Sequence, residues 1–268
     1  MQSVGGMSTA IGVSLKMYFG YAETLEWCDR VGTLALRNPS VVAGAIDLFV
    51  IPSYPVLGAV LALLQSTPVA VGAQDLFWAD RGAYTGEVSG VLLAELGCRY
   101  VEVGHAERRR LFAETDRIVA LKVEAALRNG LCPIICVGET DRGEAAAAAR
   151  HCIDQVSAAL SNVHGRDDSI IVAYEPLWAI GAAEPAPSEH IRQVCSELRD
   201  ALDVFRPATS QRIIYGGTAG PGLFAQLEGT VDGLFLGRRA HDTSALASIL
   251  DEVSATKPPP GQKEAHGN

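Results

Sequence analysis

The 268-residue sequence predicts an α/β fold, a single (β/α)8 barrel of eight parallel strands with outer helices. Two observations carry this expectation. Short runs rich in Val, Ile, Leu and Ala alternate eight times with helix-length segments, and several runs are apolar almost throughout, as parallel strands covered on both faces need to be. Eight such units leave about 33 residues for each, close to the ~30 that one strand–helix–strand unit occupies. The rival is a doubly wound open sheet. Its usual mark is a G-x-G-x-x-G turn after the first strand, whereas KMYFG follows the first run here.

The strands are expected at Ile11 to Met17, Ile46 to Ile51, Val69 to Ala73, Tyr100 to Val103, Pro133 to Val137, Ile170 to Tyr174, Arg212 to Tyr215 and Asp232 to Leu236. Among the helices, Glu114 to Asn129 closes on Gly130, a stop signal, and Gly143 to Leu160 is alanine-rich. Ser188 to Phe205 opens on a serine suited to be its N-cap. No linker interrupts the series, so residues 1–256 read as one barrel domain. The tail 257–268, KPPPGQKEAHGN, is Pro/Gly-rich and polar and is expected to be disordered.

Composition narrows the function. Hydrophobic residues make up 48% and charged residues 20%, which allows a sizeable core, and the formal net charge is −9. Proteins that neutralise many consecutive phosphates need clustered Lys and Arg, so nucleic acid is not an expected partner, while a single small anion needs only a local pocket. The opening MQSVGGMSTA lacks the basic and apolar regions of a secretory signal. The longest apolar run, Pro55 to Leu64, is too short for a membrane span, so no membrane partner is expected. Six scattered cysteines without a C-x-x-C pair point to reduced thiols and a cytoplasmic location.

In such a barrel the chemistry sits where the strands end. Lys16 ends the first strand, Gln74 the third, and His105-Ala106-Glu107-Arg108-Arg109 the fourth. Glu139, Glu175, Gly216-Gly217 and Gly237-Arg238 end the fifth to eighth. Charges converging on one mouth are costly unless they pair or act on a ligand. The Gly-rich turns after the last two strands offer backbone N–H groups to a phosphate. The expectation is an enzyme for a small phosphorylated molecule. Taken alone, Lys16 reads as an ordinary strand-end lysine, His105 as a satisfied core or interface histidine, and Glu175 as half of an ion pair with Arg108 or Arg109.

The runs VGAQDLFWADRGAYTGEVS (71–89), VEVGHAERRR (101–110), ICVGET (135–140), AYEPLWAIG (173–181), YGGT (215–218) and DGLFLG (232–237) together resemble the triosephosphate isomerase family over nearly the whole chain. The resemblance implies an isomerase with Glu175 as the base that carries a proton between adjacent carbons. His105 would polarise the carbonyl, and Lys16 would stabilise the enediolate and hold the phosphate. Gly217, Thr218 and Gly237 would lie at the phosphate, Gly181 would be a further substrate-binding residue, and Pro176, Leu177 and Trp178 would form the first hinge of a water-excluding lid. Thr85, Gly86 and Glu87 would stand on a loop that reaches into a partner subunit, giving a homodimer. The chemistry suits these residue types: one carboxylate serves as base and then acid, fixed donors stabilise the developing oxygen charge, and neither a metal nor an organic cofactor is called for.

Several positions depart from the family pattern. Ser14-Leu15-Lys16-Met17-Tyr18 replaces Asn-Trp-Lys-Met-Asn, and Ala106 replaces a serine. The rear of the lid reads Ala182-Ala183-Glu184, followed by Pro185 and Pro187, which makes the hinge stiffer and more acidic. Arg238 replaces a glycine and is either a phosphate ligand or half of a substitute salt bridge. Ser14, the WAD of the loop after strand three and Gly237-Arg238 resemble the branch that interconverts L-erythrulose 1-phosphate and D-erythrulose 4-phosphate. A serine in place of asparagine leaves room for the extra CH₂OH, so the four-carbon substrate is favoured over the triose phosphates. A barrel that binds a sugar phosphate without turnover is the alternative of another class.

Overall fold

The computed structural model describes residues 7–163, 169–206 and 210–256, and the predicted tail 257–268 lies outside these. Eight parallel strands close into a barrel in sequence order: β1 (Thr9–Ser14), β2 (Ile46–Ile51), β3 (Ala70–Ala73), β4 (Tyr100–Val103), β5 (Cys132–Val137), β6 (Ile170–Tyr174), β7 (Gln211–Tyr215) and β8 (Gly233–Leu236). Pairing of β1 with β8, in the register Ala10 to Gly233 and Val13 to Leu236, completes the ring. The helices are α1 (Tyr21–Arg37), α2 (Pro39–Val42), α3 (Tyr54–Leu64), α4 (Gly90–Leu96), α5 (Ala106–Phe112), α6 (Asp116–Arg128), α7 (Ala145–Ala159), α8 (Ser188–Phe205), α9 (Leu223–Gln226) and α10 (Thr243–Thr256).

Alternation along each strand divides the apolar residues between two cores. Outward-facing residues such as Val13, Val50, Val103, Ile135, Val172 and Ile213 pack beneath the helices, while Ala10, Phe49, Tyr100, Ile134, Ile171, Ile214 and Phe235 fill the barrel. The Phe49 ring lies 4.4 Å from Tyr100 and 6.3 Å from Phe235 between centroids. It occupies the space of a missing side chain on β1, because a Cβ at Gly12 would meet it at 2.3 Å. The end where the strands begin is plugged by Arg212, which donates to Asp47 at 2.7 Å and to the Tyr100 hydroxyl at 3.2 Å. The other end stays open for the residues that follow the strands.

The starts of α6 and α7 and the cap of α8 differ from expectation, α7 beginning at Ala145 after Glu144 rather than at Gly143. Thr115 caps α6 by accepting from Ile118 N at 3.4 Å, so the helix begins after Glu114. Ser188 is the first residue of α8 rather than its N-cap. Pro187 holds the cap position, and the Ser188 hydroxyl donates to Gln226 Oε1 at 2.8 Å.

Candidate active site

The expected first strand ran to Met17, but β1 stops at Ser14 because the chain turns sharply at Lys16, whose φ of 49° is left-handed. Such a backbone costs a residue with a side chain about 1–2 kcal/mol. Two neighbouring strand ends hold it there: Ser53 Oγ and Gln74 Nε2 donate to the Lys16 carbonyl at 2.9 and 2.8 Å. The turn carries the ammonium over the mouth, where Nζ meets Glu107 Oε1 at 2.9 Å. Burial works against the charge, but Glu175, Glu107 and Glu102 outweigh it and hold the Lys16 ammonium above its ordinary value.

His105 ends the β4 segment and is the N-cap of α5, its Nδ1 accepting from the Glu107 N–H at 3.2 Å. With Nδ1 an acceptor, the uncharged ring carries its proton on Nε2. That nitrogen faces Glu175 Oε2 at 3.3 Å and Glu102 Oε1 at 3.7 Å. Glu175, directly after β6, is buried, and its Oε2 lies within ion-pair distance of His105 yet outside hydrogen-bond geometry. Its place depends on the glycine at the end of the adjacent strand β7, since a Cβ on Gly216 would come within 2.4 Å of Glu175 Cγ and 2.5 Å of its Oε1.

Glu175 is not the ion-pair partner of Arg108 or Arg109. Arg108 binds Asp75 and Glu114, and Arg109 binds Asp116 and the Gly104 carbonyl. Glu107 is the salt-bridge partner of Lys16, with Lys16 and His105 helping to hold its carboxyl below its ordinary value against the effect of burial. Cys136 is packed inside the barrel, where burial pushes its thiol far up.

One cavity of about 560 Å³ brings together Ser14, Lys16, His105, Glu175, Gly181, Gly217, Thr218, Gly237 and Arg238. Every catalytic and substrate-binding candidate from the sequence therefore faces the same space. Gly181 and Gly217 take left-handed backbone at φ 73° and 97°. Thr218 lines the cavity, but its hydroxyl is directed to the lid, 2.9 Å from the Ala179 carbonyl and 3.0 Å from that of Ala182. Arg238 is exposed at the rim, its guanidinium 5.7 Å from the Tyr18 ring centroid. Among the described residues no carboxylate forms an ion pair with it.

The lid candidates separate. Leu177 lines the cavity; Pro176 is buried, and Trp178 turns away, donating to Glu139 Oε1 at 2.7 Å. Glu139 also accepts from the Tyr174 hydroxyl at 3.2 Å, and His190 Nε2 lies 3.3 Å from it. The rear of the lid is tied down by Ala186 N donating to the Tyr215 hydroxyl at 3.1 Å and by Arg239 donating to the Ala183 carbonyl at 2.7 Å.

Sequence reasoning missed Glu102, a buried carboxylate inside β4, and Arg239, which lines the cavity as well as holding the lid. The strand alternation places Glu102 on the same inward face as Tyr100, and that was the available signal.

The family model described as triosephosphate isomerase matches residues 9–253. The chain belongs to the triosephosphate isomerase family. Within it, the chain is 52% identical over 245 residues to an L-erythrulose-1-phosphate isomerase of Pectobacterium atrosepticum, covering 91% of this chain and 95% of that protein. It is 40% identical to an L-erythrulose-1-phosphate isomerase of Rhizobium rhizogenes, covering 93% and 94%. A triosephosphate isomerase of Moorella thermoacetica is 39% identical, covering 81% of this chain and 90% of that protein. As a member of this family the chain is an isomerase.

Proposed function

We propose that this triosephosphate isomerase family member interconverts L-erythrulose 1-phosphate and D-erythrulose 4-phosphate by moving one proton through an enediolate. The observation that carries the chemistry is the meeting of Glu175, His105 and Lys16 in one cavity, with Glu175 Oε2 at 3.3 Å from His105 Nε2. Glu175 takes the proton from C3 and returns it to C2. Negative charge develops on the C2 oxygen, where His105 Nε2–H and the Lys16 ammonium stabilise it. The hydroxyl proton of C3 leaves as the C3 carbonyl forms and the C2 oxygen gains one, so atoms and charge balance over the cycle. The reaction needs no cofactor.

The phosphate is assigned to the rim formed by Gly181, Gly217, Thr218, Gly237 and Arg238. Lys16, Arg110, Arg238 and Arg239 supply positive charge around the same cavity. Pro176, Leu177 and Trp178 serve as the front hinge of a lid that keeps water from the enediolate, which would otherwise lose phosphate. The identity to the Pectobacterium atrosepticum protein favours the four-carbon substrate, as does the small Ser14 side chain on the cavity wall. Triose phosphates are the second reading, favoured by the 39% identity to the Moorella thermoacetica protein.

We assign the barrel domain to residues 1–256. Six free cysteines support a cytoplasmic location, and no helix among the described residues is long and apolar enough to cross a membrane. A homodimer through the Thr85 loop is the proposed assembly. Exposed Thr85 and Tyr84 on that loop, and a Met17 that is 92% exposed beside the mouth, support it.

The test of the base is solvent-deuterium exchange into L-erythrulose 1-phosphate. The native protein should introduce deuterium at the carbons of the enediolate, and Glu175→Gln should slow exchange by at least about 10²-fold, the scale of a lost general base. Exchange that survives the substitution would remove Glu175 from this role.

A further inference from the structure

Glu102 takes no part in the proton transfer described above, yet it is a carboxylate only 3% exposed inside the barrel. It stands on the same face of β4 as Tyr100, which with Ile51, Cys136 and Phe235 belongs to the apolar cluster filling the barrel. Burial and the nearby Glu175 push its carboxyl up, against the opposing pull of His105, Lys16 and Ser14. A group retained only for packing would be better served by an apolar side chain of similar volume.

Its hydrogen bond defines what it does. Ser14 Oγ, 88 residues away in sequence, donates to Glu102 Oε2 at 3.0 Å. Ser14 lines the cavity, whereas Glu102 stands behind it. A serine hydroxyl has one proton and two lone pairs, and the Glu102 Oε2 that faces it is the acceptor of that proton. With its proton given to Glu102, Ser14 can offer the cavity nothing but lone pairs. A phosphate, carbonyl or enediolate oxygen brought against it is repelled, and an alcohol is accepted. The bond reaches across the barrel interior from β1 to β4, close to His105 and Glu175, so the pair belongs to the reacting end of the cavity. The phosphate rim after β6, β7 and β8 is a separate region.

We propose that Ser14 and Glu102 form a hydroxyl-reading pair: Ser14 accepts a hydrogen bond from the terminal hydroxymethyl group of a four-carbon ketose phosphate, and Glu102 is the positioning residue that fixes Ser14 as an acceptor. The inference rests on the four-carbon reading above and deepens it. It assigns substrate choice to the polarity of Ser14 as well as to the room that a small side chain leaves.

The experiment compares kcat/KM for L-erythrulose 1-phosphate with that for its 4-deoxy analogue, which carries a methyl in place of the hydroxymethyl group, and for dihydroxyacetone phosphate. The native enzyme should prefer the hydroxylated tetrose to the analogue by about tenfold or more, since a site built to bind a hydroxyl rejects the compound that lacks it. Ser14→Ala and Glu102→Leu should bring that ratio to near one. Glu102→Gln, which keeps an acceptor for Ser14, should retain part of the preference. A loss of packing alone would lower activity on both compounds and leave the ratio unchanged, and that result would overturn the proposal. So would a native ratio near one, a test that needs no variant to fold. If the native enzyme works on the tetrose without reading its terminal hydroxyl, only the pair fails. If dihydroxyacetone phosphate is preferred to both four-carbon compounds, the four-carbon reading fails with it.

Discussion

Arg238 puts a long cation at the rim where the family pattern has glycine. Its guanidinium comes within 3.5 Å of the point where a Cβ on Gly181 would stand, which places it beside the proposed phosphate contacts. With no carboxylate paired to it among the described residues, the phosphate reading is favoured over the substitute salt bridge. Arg238→Gly should therefore raise KM several-fold to about tenfold and change kcat less, the signature of a lost binding contact. Unchanged steady-state kinetics would leave Arg238 without a phosphate role. The residues legible in the sequence were those that a strand end must display: Lys16, His105, Glu175 and Gly217 each follow an apolar run. Glu102 was not legible in this way, because it sits within a run and its partners Ser14 and His105 come from β1 and the end of β4. A single charge in a strand shows its meaning only when the barrel closes.

At the scale of elements, periodicity located β2, β4, β6 and α8 to the residue, because buried parallel strands and a strongly amphipathic helix have sharp ends. It overran β1, since the left-handed turn at Lys16 is held by Ser53 and Gln74, contacts that no local pattern contains. The proposed lid rests on a sequence motif, and the contacts that hold its rear were not visible in that motif. Pro185 and Pro187 suggested a stiff rear hinge, and the structure adds tethers from Tyr215, Thr218 and Arg239 that lie 29 to 56 residues away in sequence. The Thr85 loop carries the assembly prediction. Tyr84 packs on Phe77 at 4.4 Å between centroids, and Phe77 stacks on Trp78 at 4.0 Å, so the base of the loop is braced while Thr85 stays exposed. Light scattering should give about twice the 28.3 kDa chain mass, and Thr85→Arg should shift the protein toward monomer. A native protein that stays at the chain mass across the concentration range would exclude the dimer.

For the whole molecule, the barrel gives its two ends different tasks. Asp47, Arg212 and Tyr100 plug the end where strands begin, and the opposite mouth gathers Lys16, Arg110, Arg238 and Arg239 around one cavity in a chain of net charge −9. A protein acidic as a whole can thus draw a single phosphorylated anion to one place. The family was readable from the order of motifs, while the proposed choice between three- and four-carbon substrates turns on a few side chains at the cavity wall. Steady-state kcat/KM for L-erythrulose 1-phosphate, D-erythrulose 4-phosphate and dihydroxyacetone phosphate, measured on one preparation, tests that choice most directly. Both erythrulose phosphates should be converted with kcat/KM at least about tenfold above that of the triose, a difference of about 1.4 kcal/mol in transition-state binding. A clear preference for dihydroxyacetone phosphate would contradict the account.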